Sequence, residues 1–168
     1  MIVAAKTAPK TAGVDDVLTL IVYGAEKDAI AEKMEQIAVE RNAEAFRRDA
    51  KNVRDSLATV VVGVRGGKSL NFNCGGCSYK GCSDFDAVEK RQGNDFAGPN
   101  CVFKLLDLGI ALGSAAKTAS LLNVDNRMMY RVGTASLMLG LMPEATVAIG
   151  IPVSTKGKSI YFDRPLKP

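Results

Sequence analysis

"ATVVVGVR" (residues 58–65) is a short run dominated by β-branched residues, with one charge at its far end, and it reads as a strand buried on both faces. A buried strand needs covering elements, and the flanking sequence supplies them. Upstream, "VLTLIVY" (17–23) follows the turn-like "AGVDD" and predicts another strand. Between the two, Ile30, Met34, Ile37 and Ala38 recur at helical spacing in "EKDAIAEKMEQIAVERNAEAF", and the pattern continues with a break through "RRDAKNVRDS". Downstream lie a short charged helix at "DFDAVEKRQ" and a turn at "AGPN". A long helix follows at "VFKLLDLGIALGSAAKTASLL" (102–122), and a second apolar helix at 127–142 is ended by Pro143. "ATVAIGIPV" (145–153) predicts a third strand and "SIYF" (159–162) a fourth. Strands separated by helices argue for one domain, residues 1–168, in which helices cover a central sheet.

The composition excludes more than it proposes. The 168-residue chain has no histidine, so Ser-His-Asp and Cys-His catalysis and every His-ligated metal site are ruled out. Lys and Arg number 22 against 18 Asp and Glu, a formal +4 too mild and too scattered to argue for nucleic acid or an anionic membrane. Apolar stretches are broken before the roughly 18–20 residues a bilayer span needs. "MIVAAKTAPK" lacks the apolar centre of a signal peptide, so a cytoplasmic protein is expected.

The chemistry concentrates in the loop after 58–65. Cys74, Cys77 and Cys82 fall within nine residues of "NFNCGGCSYKGCSDF", and Cys101, the fourth and last cysteine, follows after eighteen intervening residues. An all-cysteine set suits a tetrahedral zinc or an iron–sulfur cluster, since soft sulfur ligands select both. Zinc ribbons usually offer two CxxC knuckles and this chain offers one. Three clustered cysteines and a distant fourth are closer to ferredoxin ligation, although neither common ferredoxin spacing is matched. Disulfides and a CxxC redox pair are the remaining readings; the compartment opposes the first, and the second leaves Cys82 and Cys101 without a role. "VGVRGGKSL" (62–70) is a near miss to a phosphate-binding loop, with Val62 where the first glycine belongs and no helix following. Gly109 and Gly113 predict close helix packing, in the core or across a dimer interface. The run carrying Arg47, Arg48, Lys51 and Arg54 reads as a solvated helix face, or else as a basic patch for an anionic cofactor or redox partner.

"RRDAKNVRDS", "NCGGCSYKGC", "DLGIALGSAAKTAS", "DNRMMYRVGTASLMLGL" and "IGIPVSTKGKSIYFDRP" together resemble a family of uncharacterised bacterial and archaeal proteins described as containing a ferredoxin domain. The resemblance runs from about residue 3 to the end. It implies a [4Fe-4S] cluster on Cys74, Cys77, Cys82 and Cys101, with the cluster loop at 71–101, and electron transfer with a flavin or a redox partner protein. A fainter resemblance is to the flavin-dependent nitroreductases, carried by "AAKTAPKTAG", "DLGIALGSAAKTASLLNV" and "LMPEATVAIGIP". It implies an α+β fold, a homodimer, and FMN contacts at Lys6, Thr7 and Lys10. Those enzymes grip the flavin phosphate with an Arg-rich segment ahead of this point. Here either the start is truncated or Lys156, Lys158 or Arg164 takes that task. The alternative from a different class is a structural four-cysteine zinc site in a binding or scaffold module.

Overall fold

The computed structural model describes residues 1–162. Helix α1 (Ile2–Thr7) and a 3-10 turn (Thr11–Gly13) precede strand β1 (Val17–Tyr23), helices α2 (Gly24–Glu40) and α3 (Glu44–Asp55), and strand β2 (Ala58–Val64). After the cysteine loop come α4 (Cys82–Ala87), the ribbon strands β3 (Arg91–Gln92) and β4 (Ala97–Gly98), and α5 (Val102–Leu121). Strand β5 (Asp125–Asn126), helix α6 (Tyr130–Met138) and strand β6 (Val147–Ser154) complete the order. The main sheet runs β1-β2-β6-β5, antiparallel throughout.

Strand β2 is central, and its alternation sorts the core. Val60, Val62 and Val64 pack with Val17 and Ile151 under α5 and α1. Val61 packs on the opposite face with Ala148 and Met142. On that side α2, α3 and α6 bury Ile30, Met34, Ile37, Phe46, Val53 and Val132 against Val22. Both faces of an antiparallel sheet are thus covered by helices, which is why β2 reads as a continuous apolar run.

The closest approach lies between α6 and β6. A Cβ on Gly133 would lie 1.7 Å from the Ala148 carbonyl oxygen, and one on Gly150 would lie 2.1 Å from Val132 Cγ1. Two glycines, one on each element, therefore let a helix backbone rest on a strand backbone.

Two expectations are corrected. The fourth strand is Asp125–Asn126, paired with Ser154 and Val153, and residues 159–162 form bends instead. Asn52 Nδ2 and Arg127 Nη1 donate to the Ile160 and Tyr161 carbonyls, so side chains take the place of a ladder there. Helix α6 stops at Met138, well before Pro143, because Gly140 enters the left-handed region at φ +70°. Its N–H donates to Leu137 O and that of Leu141 to Ser136 O, the paired bonds of a glycine-terminated helix. The basic run of α3 keeps Arg47, Arg48, Lys51 and Arg54 on an exposed face, with one acidic residue of the run turned inward. Asp49 is buried, accepting from Arg48 at 2.9 and 2.8 Å and from Arg131 of α6 at 2.8 Å.

That ion pair ties α3 to α6, and Asp49→Ala should lower unfolding free energy by about 2–3 kcal/mol, since it leaves Arg131 without its buried acceptor. Urea denaturation measures the change, and a loss below about 0.5 kcal/mol would show that the pair contributes no more than a surface bridge. Nearby, Tyr161 is buried with its hydroxyl unpartnered, and burial together with Asp125 pushes its phenol up.

Candidate metal centre

The end of β2 launches the cysteine loop, and a set of hydrogen bonds fixes where the fourth cysteine begins its helix. Thr146 Oγ1 accepts from the Gly66 N–H at 2.9 Å and donates to Asn100 Oδ1 at 2.5 Å, while the Cys101 N–H donates to Gly66 O at 2.9 Å. Gly66 has no room for a side chain, because a Cβ would meet Asn100 Oδ1 at 2.1 Å. Cys101 is buried and caps α5.

The loop itself is made of turns that need the left-handed region. Asn71, Asn73, Gly75 and Ser78 all have positive φ, between +49° and +71°. Asparagine and glycine tolerate that region best, so the sequence "NFNCGG" is suited to it. Asn73 then binds Cys82 twice: its Oδ1 accepts from the Cys82 N–H at 2.8 Å, and its own N–H donates to Cys82 Sγ at 3.3 Å. A backbone N–H on a cysteine sulfur is one of the levers by which a protein tunes a thiolate centre.

Two aromatic pairs hold the loop to its surroundings. Phe72 meets Phe103 edge-on at 5.4 Å, and Tyr79 meets Phe85 at 5.8 Å. The first pair joins the residue two before Cys74 to the residue two after Cys101. Gly76 lies in the same seam, where a Cβ would sit 2.8 Å from Val102 Cγ1 and 3.7 Å from Cys74 Sγ. Asp86 of α4 anchors the loop start, accepting from the Ser69 N–H at 2.7 Å and Ser69 Oγ at 2.8 Å. Desolvation pushes its carboxyl up, but the two Ser69 bonds and the nearby Lys90 and Lys68 outweigh it and hold the group below its ordinary value. Lys90 sits over the Phe85 ring at 4.0 Å and donates to the Phe85 and Val88 carbonyls.

All four cysteines are free thiols: Cys74 is exposed, Cys77 and Cys82 are half-buried, and Cys101 is buried. Among the described residues no three Cys, Asp or Glu side chains converge closely enough to hold a metal ion. The donor set nevertheless fits a thiolate-bound group by its chemistry, because all four cysteines are free of disulfides and no imidazole competes.

Lys6, Thr7 and Lys10 lie at the other job the N-terminus has, ending α1. Lys10 Nζ donates to the carbonyls of Lys6, Ala8 and Ala5 at 2.6, 2.9 and 3.2 Å, and Thr7 Oγ1 donates to Val3 O. Lys6 Nζ donates to Val17 O at 2.8 Å and pairs with Asp15. These donors are committed within the chain. Arg164, the other phosphate candidate besides Lys156 and Lys158, lies outside the described residues.

Sequence reasoning missed Lys104 and Asp107. Both are buried on α5, Asp107 accepting from the Thr11 N–H and Oγ1 at 3.0 and 2.8 Å, and Lys104 pairing with Asp16 at 2.7 Å. The signal was present: charges three residues apart interrupt an otherwise apolar helix face.

Comparison with known proteins bears on the family and the fold. The model for "uncharacterized protein containing a ferredoxin domain" matches residues 97–164. An uncharacterised protein of Archaeoglobus fulgidus is 45% identical over 161 residues, covering 96% of this chain and 86% of its own. Among solved structures, the FMN-bound nitroreductase of Desulfitobacterium hafniense superposes with a TM-score of 0.60 at 16% identity, over 99% of this chain and 79% of that one. The Lactococcus lactis nitroreductase CinD, solved with nicotinic acid, gives 0.61 at 13% identity, over 98% and 78%. An oxidoreductase containing FMN gives 0.58 at 16% identity, and there this chain spans 94% of itself but 64% of the other. Identities this low show the fold alone, and the fold is a nitroreductase-like α+β sheet covered by helices. The near full-length relative and the matched family model place the sequence: the chain belongs to the family of uncharacterised proteins containing a ferredoxin domain.

Proposed function

We propose that the chain is a cytoplasmic iron–sulfur redox protein in which Cys74, Cys77, Cys82 and Cys101 hold one [4Fe-4S] cluster. The observation that carries this reading is the seam joining the loop to α5, where Phe72 packs on Phe103 and Gly76 on Val102, bringing the three-cysteine loop to the helix that Cys101 caps. When bound, the cluster supplies one-electron transfer. The protein's part is to set its environment: the Asn73 N–H to the Cys82 sulfur, the aromatic pairs that screen the loop, and the burial of Cys101. The electron partner is a flavin or another redox protein.

FMN enters through the fold, since solved relatives of this fold carry it. For FMN to bind at Lys6, Thr7 and Lys10, these side chains must release the carbonyls they now close. Anaerobic purification with iron, sulfide, zinc and flavin analysis of one sample tests these points together. Iron and sulfide near one cluster per chain support the proposal. Zinc alone supports the second reading, a structural four-cysteine staple in a binding module.

We also propose a homodimer. Helix α5 turns Leu106, Ile110 and the bare Gly109 and Gly113 outward, and no atom lies within 4 Å of where a Cβ on either glycine would stand. Core packing is thereby excluded for this pair among the described residues. On the same side of the sheet β1 exposes Ile21 and Tyr23. Gly113→Leu should convert dimer to monomer in light scattering, and a dimer unchanged in mass and stability would put the interface elsewhere.

A further inference from the structure

A cleft of about 310 Å³ opens beside the cysteine loop, lined by Asp16, Arg65, Gly67, Lys68, Lys104, Glu144 and Thr146. None of these residues has a part in the proposed cluster. Their arrangement is unusual in one respect: Lys104 is only 4% exposed, yet among the described residues its ammonium has a single partner, Asp16 Oδ2 at 2.7 Å. An ammonium offers three N–H donors, so a nearly buried one with one acceptor retains unused capacity facing nothing but the cleft it lines.

The rest of the wall suits the same kind of ligand. Arg65 places both Nε and Nη2 on one oxygen of Glu144, at 2.8 and 2.7 Å. Lys68 is exposed and makes no hydrogen bond or ion pair among the described residues, its one charged influence being on Asp86, which it helps hold below its ordinary value. The Lys90 stem packs over Gly67, its Cγ 3.4 Å from where a Cβ would be, while its ammonium stays on the Phe85 and Val88 carbonyls. Three cations line the cleft against two carboxylates, an excess of one positive charge. Negative groups are thus present but outnumbered, and the balance favours an anionic guest.

From this geometry we infer that the cleft binds a small oxyanion, of carboxylate or phosphate type, held by Lys104 and Lys68. Its floor is shared with the fourth cysteine: Gly66 accepts the Cys101 N–H, Gly67 lines the cleft, and Lys104 stands one helical turn after Cys101. A guest there sits against the backbone that carries the cysteine centre, which makes the cleft the place for an anionic substrate or effector of that centre. The inference goes beyond the cluster reading and does not depend on it.

The test is a titration of the purified protein with sodium acetate and, separately, sodium phosphate, against sodium chloride at matched ionic strength. Calorimetry and thermal unfolding are the readouts, so metal content does not enter. Saturable binding of acetate or of phosphate beyond the chloride control is expected, and which salt binds identifies the source. Lys68→Ala, at an exposed side chain that should not disturb folding, should weaken that binding about tenfold, as the loss of one charge-assisted bond does, and Lys68→Arg should restore it. Responses to acetate and phosphate that match chloride, or equal affinity in the wild type and Lys68→Ala, would overturn the inference.

Discussion

Gly133→Ala is expected to be the most destabilising single methyl in the chain. The added carbon would lie 1.7 Å from the Ala148 carbonyl oxygen, 2.2 Å from its carbon and 2.7 Å from Ile149 N, all backbone atoms that no rotamer change can move. Strand β6 cannot retreat, because Ala148 is in register with Gly63 of β2 and β5 pairs with the other edge of β6. Helix α6 cannot lift away without opening the cluster around Val132 and Ala135. The cost should exceed the roughly 1–3 kcal/mol of ordinary overpacking, a large share of the roughly 5–15 kcal/mol that holds a domain together. Urea unfolding of the variant, or its failure to accumulate as soluble protein, measures this. A loss under about 1 kcal/mol would mean that α6 stands further from β6 than described.

The second large effect concerns cofactor loading. Cys77→Ser should reduce cluster iron and sulfide to background, since the loop offers no other thiolate in its place. Cys101→Ser should do the same, and here the outcome discriminates further: a Cys101→Ser protein with full iron content would show that some other group completes the site. Serine at Cys101 keeps the cap and the main-chain bond to Gly66, so folding should survive and the comparison stays clean. If wild type and both variants carry zinc and no sulfide, the centre is a staple, and a strong chelator should lower the melting temperature of the wild type.

Much of the fold was legible in the order of residues. Strand β1 has the bounds that "VLTLIVY" predicts, and β2 ends one residue short of its prediction, because β-branched runs bounded by turn residues have few other uses. Helix α5 likewise differs by one residue from its apolar pattern. That the helix after β1 breaks was readable, but not where: the pattern runs on through "NAEAF", whereas the structure breaks it at 41–43, with Asn42 at φ +49°. The C-terminal strand was misplaced because "SIYF" satisfies a local strand pattern, while the edge of β6 was already taken by two residues just after α5.

The candidate site divides in the same way. Its donor types, and the exclusion of imidazole chemistry, follow from composition alone. Local chemistry also fixed the left-handed turns, through the asparagines and glycines of "NFNCGG". What only the tertiary structure decided was which distant groups meet. Phe72 finds Phe103, Asn100 finds Thr146 across the end of the sheet, and Lys104 finds Asp16 inside an apolar helix face. Pattern along a chain reports burial, because burial is a property of one residue and its periodic neighbours. Pairing of polar groups is a property of two positions, and nothing local to either one encodes its partner.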